Sequence, residues 1–366
     1  MKKYAFILLA ALVLNTASAY AEFSDNTKAC LINAVTGEVV FEKNAYEKSP
    51  MASTTKIMTA LVALENSNPY DVVTMTGDAV RTAGSSTYAK EGDKLYMEDV
   101  LYGLMLNSGN DAAEAIAQTV SGSSEEFAKL MNERAKKCGA NNTSFINPSG
   151  LPDEAHYTTA YDMALIAKTA LENEKLAGIV ATQKHTVWLL NDSARKLEFY
   201  NHNKLLALMD GCTGVKTGYT RKAGRCLVSS AQRDGMKYIA VTLNDGDDWN
   251  NHIQMYEDVF AVSEPISVVK KGECVRTYGS CRLVAAEDFT VPSFDKQKDK
   301  FDILTFIPDL KPPINEGEKV GYLQIIHNGN EIGKVDIISQ SDITKKEKIG
   351  KSIISCIEKS IRKLIV

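Results

Sequence analysis

The stretch Met51-Ala52-Ser53-Thr54-Thr55-Lys56-Ile57-Met58-Thr59-Ala60 places a serine and a lysine three residues apart at the head of an apolar run. Ile57, Ala60, Leu61 and Leu64 recur at helical spacing, so a helix is expected over about residues 53–65. Residues three apart share a helix face, which puts Lys56 one turn from Ser53. A serine hydroxyl is a weak nucleophile until a base takes its proton. Lysine can be that base when its pKa falls, and a helix N-terminus, burial and a second cation each push it down. The same N-terminus offers backbone N–H groups to a developing oxyanion. S-x-x-K alone is weak, because the chain holds five matches, at Ser53, Ser193, Ser267, Ser293 and Ser360. Only Ser53 opens an amphipathic helix, and a bland reading would make it a helix cap.

Two further motifs follow in order. Ser108-Gly109-Asn110 lies between two helical segments, about residues 98–106 and 111–120. It supplies a hydroxyl and an amide for proton relay and substrate anchoring, although a second S-x-N stands at Ser24. Lys216-Thr217-Gly218 occurs once, on an expected strand beside a hairpin. A strand edge with glycine admits an extended peptide closely. Lys216 and Thr217 suit a terminal carboxylate. Singly, each motif reads as a cap, a turn or a surface lysine; their order, spacing and context favour chemistry.

The chain has 366 residues, 42 basic against 46 acidic, a net charge of −4 and 44% hydrophobic residues. Those proportions exclude a disordered chain, a collagen-like repeat and a polytopic membrane protein. A net acidic chain also argues against nucleic-acid binding. Length suggests two or three structural units. Residues 28–43 read as a hairpin, and 124–137 and 159–171 as helices, the last with Thr158 or Thr159 as N-cap. Residues 212–219, 224–231 and 238–243 read as strands. From 263 to about 339 short β-type runs replace helical periodicity. The expected division is a signal segment 1–21, a catalytic domain 22–262, a β-rich domain 263–344 and a tail 345–366.

Lys2 and Lys3, the apolar run 5–14 and the Ala17-Ser18-Ala19 and Ala19-Tyr20-Ala21 exits read as an export signal, with an uncleaved anchor as the alternative. In the tail, Ile349, Ile353, Ile354, Ile357, Ile361, Leu364 and Ile365 fall in one helical arc of roughly 160°. Seven basic residues face two acidic ones there. Such a basic amphipathic helix suits a membrane surface; packing on its own domain is the plainer alternative. The seven cysteines form no C-x-x-C pair, and no HExxH occurs, so no zinc site and no cofactor are called for. Cys212 is expected to pair near residue 231, too far from Cys226 for a disulfide. Cys274 and Cys281 are candidates to meet across another hairpin.

The set S-x-x-K, S-x-N and K-T-G resembles that of the penicillin-recognising serine enzymes. Within them, the chain resembles the low-molecular-mass penicillin-binding proteins that act as D-alanyl-D-alanine carboxypeptidases. Residues 147–153 (NPSGLPD), 156–162 (HYTTAYD), 210–218 and 223–224 add to the likeness, which spans 22 to about 345. The resemblance implies an α+β fold: a penicillin-binding/β-lactamase-like transpeptidase domain, a small all-β domain and a C-terminal amphipathic helix. It implies Ser53 as acyl-accepting nucleophile, Lys56 as its base, and Ser108 and Asn110 as the second element. Lys216, Thr217 and Gly218 form the substrate-binding strand, and the backbones of Ser53 and Tyr219 the oxyanion hole. Some members carry histidine where Tyr219 stands. Some use an arginine near the substrate carboxylate; none is placed here, because His202 and Asn251 stand where it would be sought. The implied substrate is a peptidoglycan stem peptide, the implied inhibitors are β-lactams, and the location is the outer face of the cytoplasmic membrane or the cell envelope. A D,D-endopeptidase, a β-lactamase and a non-catalytic wall-binding protein are the rivals; against the second, no E-x-x-x-N setting follows Asn110.

Overall fold

The computed structural model describes residues 23–294, 299–346 and 361–363. In chain order the first body comprises β1 Lys28–Asn33, β2 Val39–Lys43, a 3-10 turn Ala52–Thr55, α1 Lys56–Asn66, β3 Val72–Thr74, α2 Gly77–Val80, β4 Lys94–Tyr96 and α3 Met97–Leu106. It continues with α4 Asn110–Ser121, α5 Ser124–Lys137, α6 Ala160–Leu171, α7 Glu174–Ala181, β5 Lys184–Trp188, β6 Lys196–Tyr200 and α8 Leu205–Leu208. It closes with β7 Cys212–Thr220, β8 Gly224–Arg233, β9 Met236–Leu243 and α9 Asp248–Val262.

Its main sheet is antiparallel, in the order β2-β1-β9-β8-β7. The central strands are apolar on both faces, and alternate residues enter two different cores. Cys30, Ile32, Val228, Ile239 and Val241 pack against the helical side, with α1 and α6. Leu31, Ala231, Tyr238 and Ala240 pack against Met255, Tyr256 and Val259 of α9. The two-sided burial explains why β9 reads as an apolar run and not as an alternation. Helix α1 is buried from Lys56 to Ala63, so its first turn carries a lysine into the protein interior. β7 ends the sheet, and among the described residues no strand covers its outer backbone edge.

The helices expected within the first body and the 212–243 strands form, the first helix opening at Lys56 behind a 3-10 turn. Thr159 caps α6 by accepting from the Asp162 amide at 3.0 Å. Several elements go beyond the sequence reading: the β3–β4 pair, α2, α7, the β5–β6 hairpin, α8 and α9. In α9 the buried positions are Asp248, Asn251, His252, Met255, Tyr256 and Val259. Their spacing is helical, but three are polar, which hides the apolar stripe. Those polar groups are satisfied inside: Asn251 donates to both Asp245 oxygens at 3.0 Å. His252 meets Ser229 Oγ at 2.6 Å and Thr242 Oγ1 at 3.0 Å, and burial pulls its pKa down to about 3.

The second body is all β: β10 Glu264–Val269, β11 Cys274–Tyr278, β12 Cys281–Ala285, β13 Phe289–Ser293, β14 Phe301–Phe306, β15 Lys319–His327, β16 Asn330–Ser339 and β17 Ile361–Lys363. The six-stranded sheet runs β11-β12-β16-β15-β14-β17, with β10 and β13 paired apart. Val35 of the first body packs on its core, and Asn33 Nδ2 donates to the Pro292 carbonyl at 3.3 Å.

Two expectations change. Cys274 lies opposite Val284 and Cys281 opposite Tyr278, so the turn leaves these thiols on different rungs and both are free. Cys212 does pair with Ala231, and it too is free. The amphipathic helix expected over 345–366 lies mostly outside the described residues. The three that are described there, Ile361–Lys363, run as a strand parallel to β14 rather than as helix. The open edge of β14 offers these residues backbone partners that a terminal helical turn lacks. The export segment 1–21 also lies outside the described residues. Among the described residues no helix is long and apolar enough to cross a membrane.

Candidate active site

Ser53 sits in the 3-10 turn that feeds α1, not in the helix proper, and no side chain caps that turn. Its hydroxyl is thus no helix cap. The preceding Ala52 has φ +47°, a left-handed conformation that costs a non-glycine residue on the order of 1–3 kcal/mol. The turn is held from both sides. Thr54 Oγ1 donates to the Met51 carbonyl at 2.7 Å and Thr55 Oγ1 to the Ala52 carbonyl at 2.8 Å. His156 reaches Thr55 Oγ1 with Nε2 at 2.8 Å, while its Nδ1 accepts from the Ile146 amide at 3.0 Å. That pattern fixes the neutral Nε2–H tautomer, and burial agrees by pulling its pKa down to about 4. Gly150 packs on the turn with φ +87°; a methyl there would lie 2.0 Å from the Ala52 carbonyl oxygen.

Lys56 Nζ lies 3.1 Å from Ser53 Oγ, 2.7 Å from Asn110 Oδ1 and 2.5 Å from the Ser149 carbonyl. Burial drives its pKa well below the usual lysine range. The charge on Lys216 adds to the shift and that on Asp111 opposes it. A neutral amine has two N–H donors and one lone pair. The two shorter contacts go to pure acceptors, so in the neutral form the lone pair is left for the Ser53 hydroxyl. The 147–151 loop supplies one of those acceptors. Asn147 Oδ1 accepts from the Gly150 and Leu151 amides at 2.8 and 3.1 Å and thereby presents the Ser149 carbonyl to the lysine.

Ser108 and Asn110 stand where α3 passes into α4. Ser108 is in the left-handed region with φ +59°, nearly buried, and lines the same cavity as Ser53. Asn110 opens α4. Its Oδ1 faces Lys56, its Nδ2 donates to the Ala83 carbonyl at 2.6 Å, and its amide donates to the Ser85 carbonyl at 2.7 Å. Buried Asp111 anchors the facing loop through the Thr87 amide and hydroxyl and the Ser86 hydroxyl.

Strand β7 forms the opposite wall. A Cβ on Gly218 would lie 3.0 Å from the Ser53 nitrogen, so only glycine lets the strand lie so close to that amide. Thr217, Gly218 and Tyr219 line the cavity beside Ser53, with Tyr219 largely exposed. Lys216 is brought near Lys56 but does not bond Ser53: its ammonium donates to the Thr217 carbonyl at 3.0 Å. Burial lowers its pKa to about 7. The expected convergence therefore holds for Ser53, Lys56, Ser108, Asn110, Thr217, Gly218 and Tyr219. For Lys216 it holds through charge and proximity, not contact.

The cavity has a volume of about 520 Å³. Sequence reasoning missed Ser85, Arg225, Cys226, Asp248 and Trp249 among its lining residues. Arg225 comes from the far strand of the K-T-G hairpin and Asp248 and Trp249 from the start of α9; none sits in a motif of its own. Among the described residues no cluster of side chains could hold a metal ion.

The profile of the peptidase S11 family, D-alanyl-D-alanine carboxypeptidase, matches residues 15–247. This chain belongs to the D-alanyl-D-alanine carboxypeptidase family. The profile of the C-terminal domain of penicillin-binding protein 5 matches residues 263–361. The chain is similar to DacF of Bacillus subtilis, 32% identical over 87% of this chain and 85% of that one. It is 30% identical to DacC of Escherichia coli over 88% and 85%. The solved structure of DacD from Francisella tularensis superposes with a TM-score of 0.62 at 27% identity, covering 94% of this chain and 98% of that one. The Streptomyces K15 DD-transpeptidase gives 0.59 at 31%, covering 65% and 95%. The carboxypeptidase family thus accounts for the α+β body, the β-rich second body and the hydrolase class.

Proposed function

We propose that Ser53 is the nucleophile of a D-alanyl-D-alanine carboxypeptidase reaction on peptidoglycan stem peptides, with Lys56 as its base. The observation that carries this is the 3.1 Å contact of Ser53 Oγ with a fully buried lysine whose other two hydrogen-bonding positions are filled. Ser53 passes its proton to Lys56 Nζ as Oγ bonds the carbonyl carbon of the penultimate D-alanine. The oxyanion turns toward the amides of Ser53 and Tyr219, which Gly218 keeps together. As the C–N bond breaks, the proton moves to the departing amine of D-alanine, a relay assigned to Ser108, which lines the same cavity. Water then enters by the same base and frees the shortened peptide and Ser53. The free edge of β7 carries the peptide backbone, and Asn110, Lys216 and Thr217 hold the substrate.

A β-lactam would acylate Ser53 and stay. Of the described residues lining the cavity, Asp248 is the carboxylate, and it is tied to Arg225 at 2.5 Å. Nothing there resembles a dedicated base for rapid deacylation, which sets the site apart from a β-lactamase. Incubation with a fluorescent penicillin should give a covalent adduct that persists for minutes; an adduct lost within seconds would favour the β-lactamase, and none at all the wall-binding protein.

Envelope location follows from the family. Export by residues 1–21 and attachment to the outer face of the membrane by residues 345–366 are proposals that rest on charge and periodicity alone. Deleting 345–366 should abolish pelleting with anionic vesicles; undiminished pelleting would refute the tail as anchor.

A further inference from the structure

The second body carries a cleft of its own, larger than the one at Ser53: about 830 Å³ against about 520 Å³. It opens where β14 and β15 part, beyond the Phe306–Tyr322 rung. Residues 307–318 leave the ladder there, and Lys311-Pro312-Pro313 keeps them out of it, because proline donates no backbone hydrogen bond. Two bulges frame the cleft, one in β11 between Cys274 and Arg276 and one in β15 between Lys319 and Gly321. Bulges re-aim side chains and recur beside functional sites. The walls are largely apolar: Phe306 and Tyr322, stacked with ring centres 4.9 Å apart, and Ile307, Leu310, Ile314 and Val320.

Arg276 lines this cleft without a partner. Arg81, Arg134, Arg195, Arg225 and Arg233 each meet a carboxylate. Among the described residues no acceptor meets the half-buried Arg276 side chain, and its Nε, shut off from solvent, has no hydrogen-bond partner. A buried charged donor left unsatisfied is expensive, and one kept in the wall of a cleft points to a ligand that satisfies it. The other charges narrow the choice. Asp309 is paired with Lys346 and Lys319 with Asp336. Among the described residues lining the cleft, that leaves Arg276 and Lys311 as cations without ion pairs, against Glu318, whose carboxylate accepts from the Asn315 amide at 2.9 Å. One carboxylate balances that surplus, whereas a phosphate dianion would exceed it and face Glu318. A guanidinium fork matches a carboxylate, apolar walls match aliphatic side chains, and the volume accommodates a short peptide.

We propose that this cleft is a second peptide-binding site, in which Arg276 receives the free carboxylate of a peptide end and the apolar walls take the neighbouring aliphatic side chains. Naming that peptide as a peptidoglycan stem rests on the carboxypeptidase reading: the reaction at Ser53 removes one D-alanine and leaves a stem that still ends in a carboxylate. The second body then holds stems that the first has trimmed, and Arg276 takes no part in bond cleavage.

The test uses the full chain acylated by penicillin, which blocks Ser53, and the probe N-acetyl-L-alanyl-D-isoglutaminyl-L-lysyl-D-alanine, whose one carboxylate is its end. Calorimetry should show one equivalent bound, and the C-terminal amide of the same peptide should bind about 10-fold more weakly. Arg276→Gln should lose about 10-fold on the acid and bind the amide as the wild type does, and Arg276→Lys should recover part of the loss. Inorganic phosphate at the peptide's own concentration should leave the peptide bound; displacement would make this an anion site and not a peptide site. Unblocked, Arg276→Gln should cleave a soluble pentapeptide within about 2-fold of the wild type, because Arg276 lines a cleft apart from Ser53. It should also unfold no earlier than the wild type, because an unpaired charge is removed. Lower stability, wild-type affinity in Arg276→Gln, equal binding of acid and amide, or no binding by the wild type would each overturn the proposal. A wild type that penicillin fails to acylate would overturn the carboxypeptidase reading and the naming of the peptide as a stem, while the acid–amide difference and its dependence on Arg276 still decide the cleft.

Discussion

Ser53→Ala abolishes the penicillin adduct and lowers peptide cleavage by about 10⁴-fold or more, as removal of a nucleophile does in serine hydrolases. The fold should be indifferent. Among the described residues Ser53 caps nothing, and its hydroxyl makes one hydrogen bond, with Lys56. Without it, Lys56 keeps Asn110 Oδ1 and the Ser149 carbonyl. The left-handed residue of the elbow is Ala52, which the variant leaves alone. The unfolding free energy should therefore move by no more than about 1 kcal/mol. Intact-mass analysis after exposure to penicillin reads the first effect, and urea unfolding reads the second. An adduct that survives would place the nucleophile elsewhere, with Ser108 the first to examine.

Lys216→Met should stabilise the protein at neutral pH while reducing kcat/KM by about 100-fold or more. Two lysines buried beside one another are held against their solvation, and among the described residues Lys216 has only the neighbouring Thr217 carbonyl to compensate it. Unfolded, its amine keeps a proton up to about 10.5; folded, it releases it near 7. Between those values the unfolded chain binds more protons, so wild-type stability climbs with pH, by about 1 kcal/mol per pH unit from this group. Below pH 7 the penalty is full and constant. Lys56 contributes in the same direction. Denaturant unfolding of wild type and variant from pH 6 to 10 measures this: the wild-type curve should rise toward that of the variant. Parallel curves would mean that Lys216 is not the strained cation described here. Lys56→Met should be as inactive, but with less gain in stability, because Asn110 Oδ1 and the Ser149 carbonyl then lose a buried donor.

What the sequence made legible was the periodic and the local. The run 53–65, the Thr159 cap and the 212–243 strands depend on neighbours in the chain, and they form within one turn of where they were read. What escaped depends on groups brought together from afar. α9 hides its inward face behind Asp248, Asn251 and His252, whose partners Asp245, Ser229 and Thr242 lie on other elements. The Cys274–Cys281 register turned on a short loop that spacing does not fix. At the site the motifs were visible, but their linkage was not. The Ser149 carbonyl opposite Lys56 is a backbone atom without a side-chain signature, and Arg225 is one charge in a hairpin of ordinary composition. Lys216 illustrates the limit from the other side. The motif located it, yet only the fold places its ammonium on the Thr217 carbonyl rather than on Ser53.

The most direct measurement of the central claim is mass spectrometry of a synthetic stem pentapeptide ending in two D-alanines, before and after exposure to the purified chain. Loss of one alanine by the wild type, absent with Ser53→Ala, is the expected result. A peptide left whole by the wild type, or shortened equally by the variant, would contradict a hydrolase built on Ser53 and Lys56.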